Sequence, residues 1–156
     1  MKYAPAITLL MLAFAAPNGL ANTSYNLGGI PAAVQVQVAD LQKDAELIGM
    51  TKSRLTEIVD SRLRKAKIRI ENDNGKVPGL VVKATTIDVG PRLATHVTVE
   101  LKELARLQRM SFQDHPRFVT SWSRAKMVAS EPTKHEALVL KAVQELLDEM
   151  IKAAHE

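Results

Sequence analysis

The C-terminal segment constrains the fold most. Leu138, Ala142, Leu146 and Met150 recur at four-residue spacing, and Val139, Val143, Leu147 and Ile151 run beside them. At 3.6 residues per turn the two series merge into one wide apolar stripe down a helix. Thr133 and Glu136 precede it as a T-x-x-E capping box, which predicts the helix start there. Such a stripe is stable only when covered, so the rest of the chain must supply a surface for it.

That surface is legible as strands. In "VQVQVADL", Val34, Val36 and Val38 alternate with Gln35, Gln37 and Ala39, the period of a strand with one buried face. "GMTKSRLTEIVDSRLRKAK" changes period: Leu55, Ile58, Val59, Leu63 and Ala66 recur at helical spacing. Thr51 is a suitable N-cap, and Met50 and Leu55 hold the two positions of a hydrophobic staple, so a helix is expected from about residue 52 to 66. "IRIE" reads as a short strand, "NDNGK" as a turn, and "GLVVKATTI" as a β-branched strand. A calcium loop counted from Glu71 fails at its twelfth position, where Val82 stands in place of the required bidentate Glu. "ATHVTVELKELARLQRM" begins as a strand with Val97, Val99 and Leu101 on one side. Its alternation slips after Leu101, which a β-bulge or a change to helix accounts for; the bulged strand is the preferred reading. "RFVTSWSRAKMVA" is the last strand.

The expected fold is therefore α+β. It is a two-layer sandwich with a mostly antiparallel sheet of about four to five strands and two helices on one face, in β-α-β-β-β-β-α order. Residues 34–156 form one domain, and residues 22–33, "NTSYNLGGIPAA", read as an irregular N-terminal arm.

Before the arm, "MKY" is a basic start, "APAITLLMLAFAAP" an apolar run, and Gly19 and Ala21 the small residues of a cleavage site. Residues 1–21 are expected to be a secretory signal peptide, giving an exported, periplasmic or extracellular protein with no transmembrane segment after its removal. The chain has no cysteine. This excludes disulfides, a lipid-bearing cysteine after the leader, cysteine-based zinc or iron–sulfur sites and thiol nucleophiles. The formal net charge of +4 falls by one when Lys2 leaves with the leader. That balance is short of a nucleic-acid binder, and no nucleic-acid partner is expected.

Trp122 is the only tryptophan. In a regular strand Phe118, Thr120, Trp122 and Arg124 share one face, and Val119, Ser121, Ser123, Ala125 and Met127 the other. The second face carries small residues suited to lie beneath a helix. Phe118, Trp122 and Arg124 are thus expected on the face away from the helices, as a candidate surface for a planar ligand, a sugar or a partner side chain. The alternatives are a Trp122 that covers a cross-strand neighbour or sheet edge, and a Trp122 in the core with Val119 outside.

The second candidate is "RLRKAKIR". Arg62, Arg64, Lys65, Lys67 and Arg69 fall together without an acid. Cations at a helix C-terminus complement its dipole; as a group they also form a candidate docking patch for anionic lipid or polysaccharide. Arg106, Arg109, Arg117 and Arg124 add to a positive sheet surface if the last two long strands pair. His96, His115, His135 and His155 have no metal-site spacing and read as surface residues. Neither a G-x-S-x-G nor a phosphate-binding glycine motif occurs, and no catalytic residue, metal or cofactor is expected.

Four stretches together resemble a loose group of small exported bacterial proteins of unknown function. They are "VQVQV", "GMTKSRLTEIVDSRL", "TSWSR" and "VLKAVQELLDEMIKAA", spanning about residues 34 to 154. The resemblance implies fold and compartment and no activity. The pattern is also similar to small periplasmic accessory domains of envelope assembly machines. Sequence thus points to a non-catalytic binding or assembly module of the bacterial cell envelope, whose partner is an envelope protein or an anionic envelope component. An anionic lipid or polysaccharide binder using residues 62–69, and an enzyme with an unrecognised site, are the other readings.

Overall fold

The computed structural model describes residues 31–42, 45, 49–72, 77–105 and 117–154. The expected signal peptide, most of the arm, the core of the Asn-Gly turn and residues 106–116 lie outside them. The elements are β1 (Ala33–Val38), α1 (Lys52–Lys65), β2 (Arg69–Ile70), β3 (Gly79–Asp88), β4 (Leu93–Ala105), β5 (Arg117–Ser130) and α2 (Pro132–Ala153). The five strands form one sheet in the order β2-β1-β3-β4-β5. β3, β4 and β5 are an antiparallel meander. β1 is parallel to β2, because α1 carries the chain back before β2 begins, and is parallel to β3 as well. This is the expected α+β sandwich.

Local chemistry sets the start of α1. Thr51 Oγ1 accepts from the Arg54 amide at 3.2 Å, satisfying one of the free N–H groups of the first turn. Met50 and Leu55 are both fully buried, as a staple requires. The start of α2 differs from expectation. Its N-cap is Glu131 and Pro132 opens the helix, with no side-chain cap. Proline lacks the amide that would be unsatisfied at this position, and its fixed φ suits a first turn. Thr133 is therefore exposed inside the helix, and Glu136 instead meets Arg54 of α1 at 2.8 Å.

Residues opposite one another in adjacent strands share a face. The face formed by Leu80, Val82, Ala84, Val97, Val99 and Leu101 is buried under the helices. α2 covers β4 and β5, and α1 covers β1 and β2. Val139, Val143, Leu146, Leu147 and Met150 of α2 and Leu55, Val59 and Leu63 of α1 complete the core. The opposite face of β3–β5 carries no described helix.

Candidate functional site

The bulge anticipated after Leu101 is present, but the extra residue is in β5. Leu101 lies opposite Trp122 and Lys102 opposite Thr120, so Ser121 has no counterpart. Its hydroxyl donates to the Leu101 carbonyl at 3.3 Å. One inserted residue reverses the alternation. From Trp122 onward, the residues opposite Leu101, Val99, Val97 and Thr95 are Trp122, Arg124, Lys126 and Val128, all on the helix side. Before the bulge, Thr120 and Phe118 point to the other side with Lys102 and Leu104.

The expected surface of Phe118, Trp122 and Arg124 is thereby corrected. Trp122 is 1% exposed and belongs to the core. The Arg124 guanidinium carbon lies 5.6 Å from the Trp122 ring centroid, at the half-buried rim of the same face, and Arg124 Nη1 donates to the Ser123 carbonyl at 3.1 Å. It closes the core edge over the indole and adds nothing to an open basic sheet surface. Lys126, also on this side, reaches Glu145 and Glu149 of α2 at 3.0 and 3.1 Å. Phe118 alone of the three is open, on the opposite face beside Leu104. Ser123, Ala125 and Met127, which were expected under a helix, instead form the outer face, and Ala129 continues it.

The outer face has an apolar region at its upper end. Ile87, Ala94 and Ala129 are consecutive across β3, β4 and β5, and Met127 lies in the next row, opposite His96. Ile87 is 52% and Met127 67% exposed.

The basic segment separates into two roles. Arg62 is committed to the helix interface, where its Nε donates to Asp148 Oδ1 at 2.6 Å and its Nη2 to Oδ2. The Asp148 carboxylate holds the Arg62 guanidinium above its usual pKa. Arg69 lies 3.5 Å from Glu71. Arg64, Lys65 and Lys67 are exposed and make no ion pair among the described residues. Lys67 has φ of 60°, the left-handed region. Its amide donates to Arg64 O at 3.0 Å and that of Ile68 to Leu63 O at 2.9 Å, the pair of bonds that defines a Schellman helix end. Glycine is the usual residue at this position; a lysine there costs about 1–2 kcal/mol of backbone strain.

His135 is a further correction. It is fully buried in the first turns of α2, not on the surface. Its Nε2 is 2.7 Å from Thr95 Oγ1, which is 2.7 Å from Thr86 Oγ1. Its Nδ1 is 2.9 Å from Ser130 Oγ, whose hydroxyl donates to Glu131 O at 3.2 Å. One direction satisfies every member: Thr86 donates to Thr95, Thr95 to Nε2, Nδ1–H to Ser130 and Ser130 to the carbonyl. A neutral imidazole fits this chain, and burial pushes the His135 pKa down. In it Ser130 accepts from the imidazole, so the histidine does not act as base toward that hydroxyl, and the third group is threonine in place of a carboxylate. The network ties the start of α2 to β3, β4 and β5. No group of three or more potential metal ligands occurs among the described residues, and no helix among them is long and apolar enough to cross a membrane.

No protein-family model and no curated protein sequence matches the chain. Among solved structures, it is similar to the rare lipoprotein B of Shewanella oneidensis, at 15% identity and a TM-score of 0.36, over 78% of this chain and 92% of that one. It is also similar to a minor lipoprotein of Acinetobacter baumannii, at 12% identity and a TM-score of 0.35, over 80% of this chain and 94% of that one. Likeness at this level assigns no function to the chain.

The residues that sequence reasoning missed are thus Ser130, Thr86 and Thr95. The one local signal was His135 beside a strand-to-helix junction rich in hydroxyls; its partners on β3 and β4 are distant in sequence.

Proposed function

We propose that the protein is a non-catalytic, exported binding or assembly module of the bacterial cell envelope, which meets an envelope protein through the outer face of its sheet. The observation that carries this reading is the apolar region of Ile87, Ala94, Ala129 and Met127 on a sheet face that no described helix covers. Exposed apolar side chains gathered on a rigid sheet suit a protein partner better than solvent. The expected leader at residues 1–21 supports the envelope as the compartment. The neutral, inward-facing His135 network supports a structural use of the only serine–histidine pair hydrogen-bonded among the described residues.

A photo-crosslinking side chain at Met127, in the protein expressed in its host, tests the reading. The expected result is a discrete adduct with an envelope protein, lost when Ile87 is changed to Ser. Illumination that yields no adduct at Met127 or Ala129 removes the outer face as the binding surface.

A further inference from the structure

We infer that one pole of the molecule lies on a bilayer surface of anionic phospholipid. The inference rests on the reading of the chain as an envelope module and adds its orientation to a membrane. Strand registers define the pole. Ala33 of β1 is level with Arg69 of β2, and Gln35 is level with Gly79 and, through it, with Lys102. The starts of β1 and β2 and the far end of the β4–β5 ribbon therefore share one end of the sheet. α1 leaves from the other end of β1 and returns to β2, so its C-terminus arrives at this pole too.

Topology thus gathers exposed cations there: Arg64 and Lys65 in the last turn of α1, Lys67 in its capping turn and Arg69 at the start of β2. The nearby described acids are Glu71, 3.5 Å from Arg69, Asp60 one turn before Arg64, Asp148, which Arg62 neutralises, and Glu103. The helix dipole accounts for Arg64 and Lys65, because its effect is confined to the last turn. It does not account for Lys67 and Arg69 beyond that turn. Lys67 in particular keeps a charge at a left-handed position where glycine is unstrained. Strain retained at an exposed cation points to use of that cation.

The β4–β5 ribbon supplies the second component. It continues past the first residue of β3, and on this extension Leu104 lies opposite Phe118, 50% and 52% exposed. The cations lie at the β2 edge of this pole and the apolar pair on the β4–β5 side, with β1 and β3 between, an arrangement that matches anionic headgroups above acyl chains: the charges are attracted to the surface, and the apolar pair enters the interface.

Flotation of the chain without its expected leader, residues 22–156, with vesicles tests the inference. One set is phosphatidylcholine alone, and the other contains roughly a third phosphatidylglycerol. The leader is left out because Lys2 and its terminal amine would themselves favour anionic vesicles, so the difference between the sets isolates the pole. The expected result is a preference for the anionic vesicles of more than roughly tenfold that falls with added salt. Arg64→Gln, Lys65→Gln, Lys67→Gly and Arg69→Gln combined abolish the preference, and each alone reduces it by up to roughly fivefold. Phe118→Ser weakens binding to both sets and leaves the salt dependence intact. Unchanged Trp122 emission shows that the combined variant is folded. Equal binding to the two sets overturns the inference, as does a preference that the folded combined variant retains. Cross-linking at Met127 in the same variant reads the envelope-module proposal independently, since adducts there do not require the basic pole.

Discussion

Trp122 lies directly opposite Leu101 across the β4–β5 pair, and Ser121 beside it has no opposite residue at all. This single mismatch decides which side of the sheet the only tryptophan occupies. It places the indole under α2, with Arg124 at the rim, and turns Phe118 out to the solvent on the other face.

A buried indole has a simple optical signature. Trp122 emission is expected to be blue-shifted and protected from iodide, and to move red in one step with unfolding. Trp122→Ala removes a large side chain from a packed core and is expected to cost about 3–5 kcal/mol by chemical denaturation. A red, readily quenched tryptophan in the folded protein contradicts the register described here.

Deletions test the bulge itself. Removal of Ser121 leaves Trp122 inward and Thr120 outward in a regular ladder, so every side chain keeps its face. The loss is one hydrogen bond and the local twist, about 1 kcal/mol. Removal of Ser123, two residues away, reverses one half of the strand relative to the other and displaces either Trp122 or the Arg124–Val128 series. That deletion is expected to cost at least about 3 kcal/mol or prevent folding. Similar losses for the two deletions refute Ser121 as the inserted residue.

The contrast explains what was legible in the sequence. The Val34–Val36–Val38 alternation and the Thr51 cap with its Met50–Leu55 staple are local patterns that appear as expected, and so does the α2 stripe except for Leu138, which is 41% exposed. The slip after Leu101 was visible too, because Leu104 breaks the alternation of β4. Its assignment to β4 was wrong, since pairing alone tells which of two partners carries an extra residue. In β5 either phase leaves a plausible mixture of small, apolar and charged residues on each face, so a one-residue insertion reverses the surface without a compositional mark. The burial of His135 depends on Thr86 and Thr95 from other strands, and Pro132 overrode the Thr133–Glu136 box by opening the helix earlier.

His135 makes stability depend on pH in a defined window. Its pKa is lowered in the folded state, so the unfolded chain binds the proton first as pH falls. The contribution of the neutral histidine is fully present above the unfolded value of about 6.5 and is lost as pH falls through the lowered folded value. Asp40, held down by Lys52, and Glu145, held down by Lys126, act in a separate window below the usual carboxylate range. Denaturation midpoints measured from about pH 7.5 to 5 are expected to fall, and His135→Gln to flatten the slope while it lowers stability at neutral pH. An unchanged slope in His135→Gln removes the histidine as its source.

Lys67 presents the opposite case, a residue whose replacement strengthens the fold. Its left-handed backbone costs about 1–2 kcal/mol for a residue with a Cβ. Glycine removes that cost but adds about 0.5–1 kcal/mol of unfolded-chain entropy. The difference favours Lys67→Gly by about 0.5–1 kcal/mol, which raises Tm by roughly 2–6 °C for a domain of this size. Lys67→Ala keeps the strain and loses only the charge, so it is expected to leave stability nearly unchanged. Thermal melts of the two variants therefore separate backbone from charge. A gain in both points to repulsion among Arg64, Lys65 and Lys67 as the source, and a gain in neither shows that the Schellman turn carries no strain at this residue.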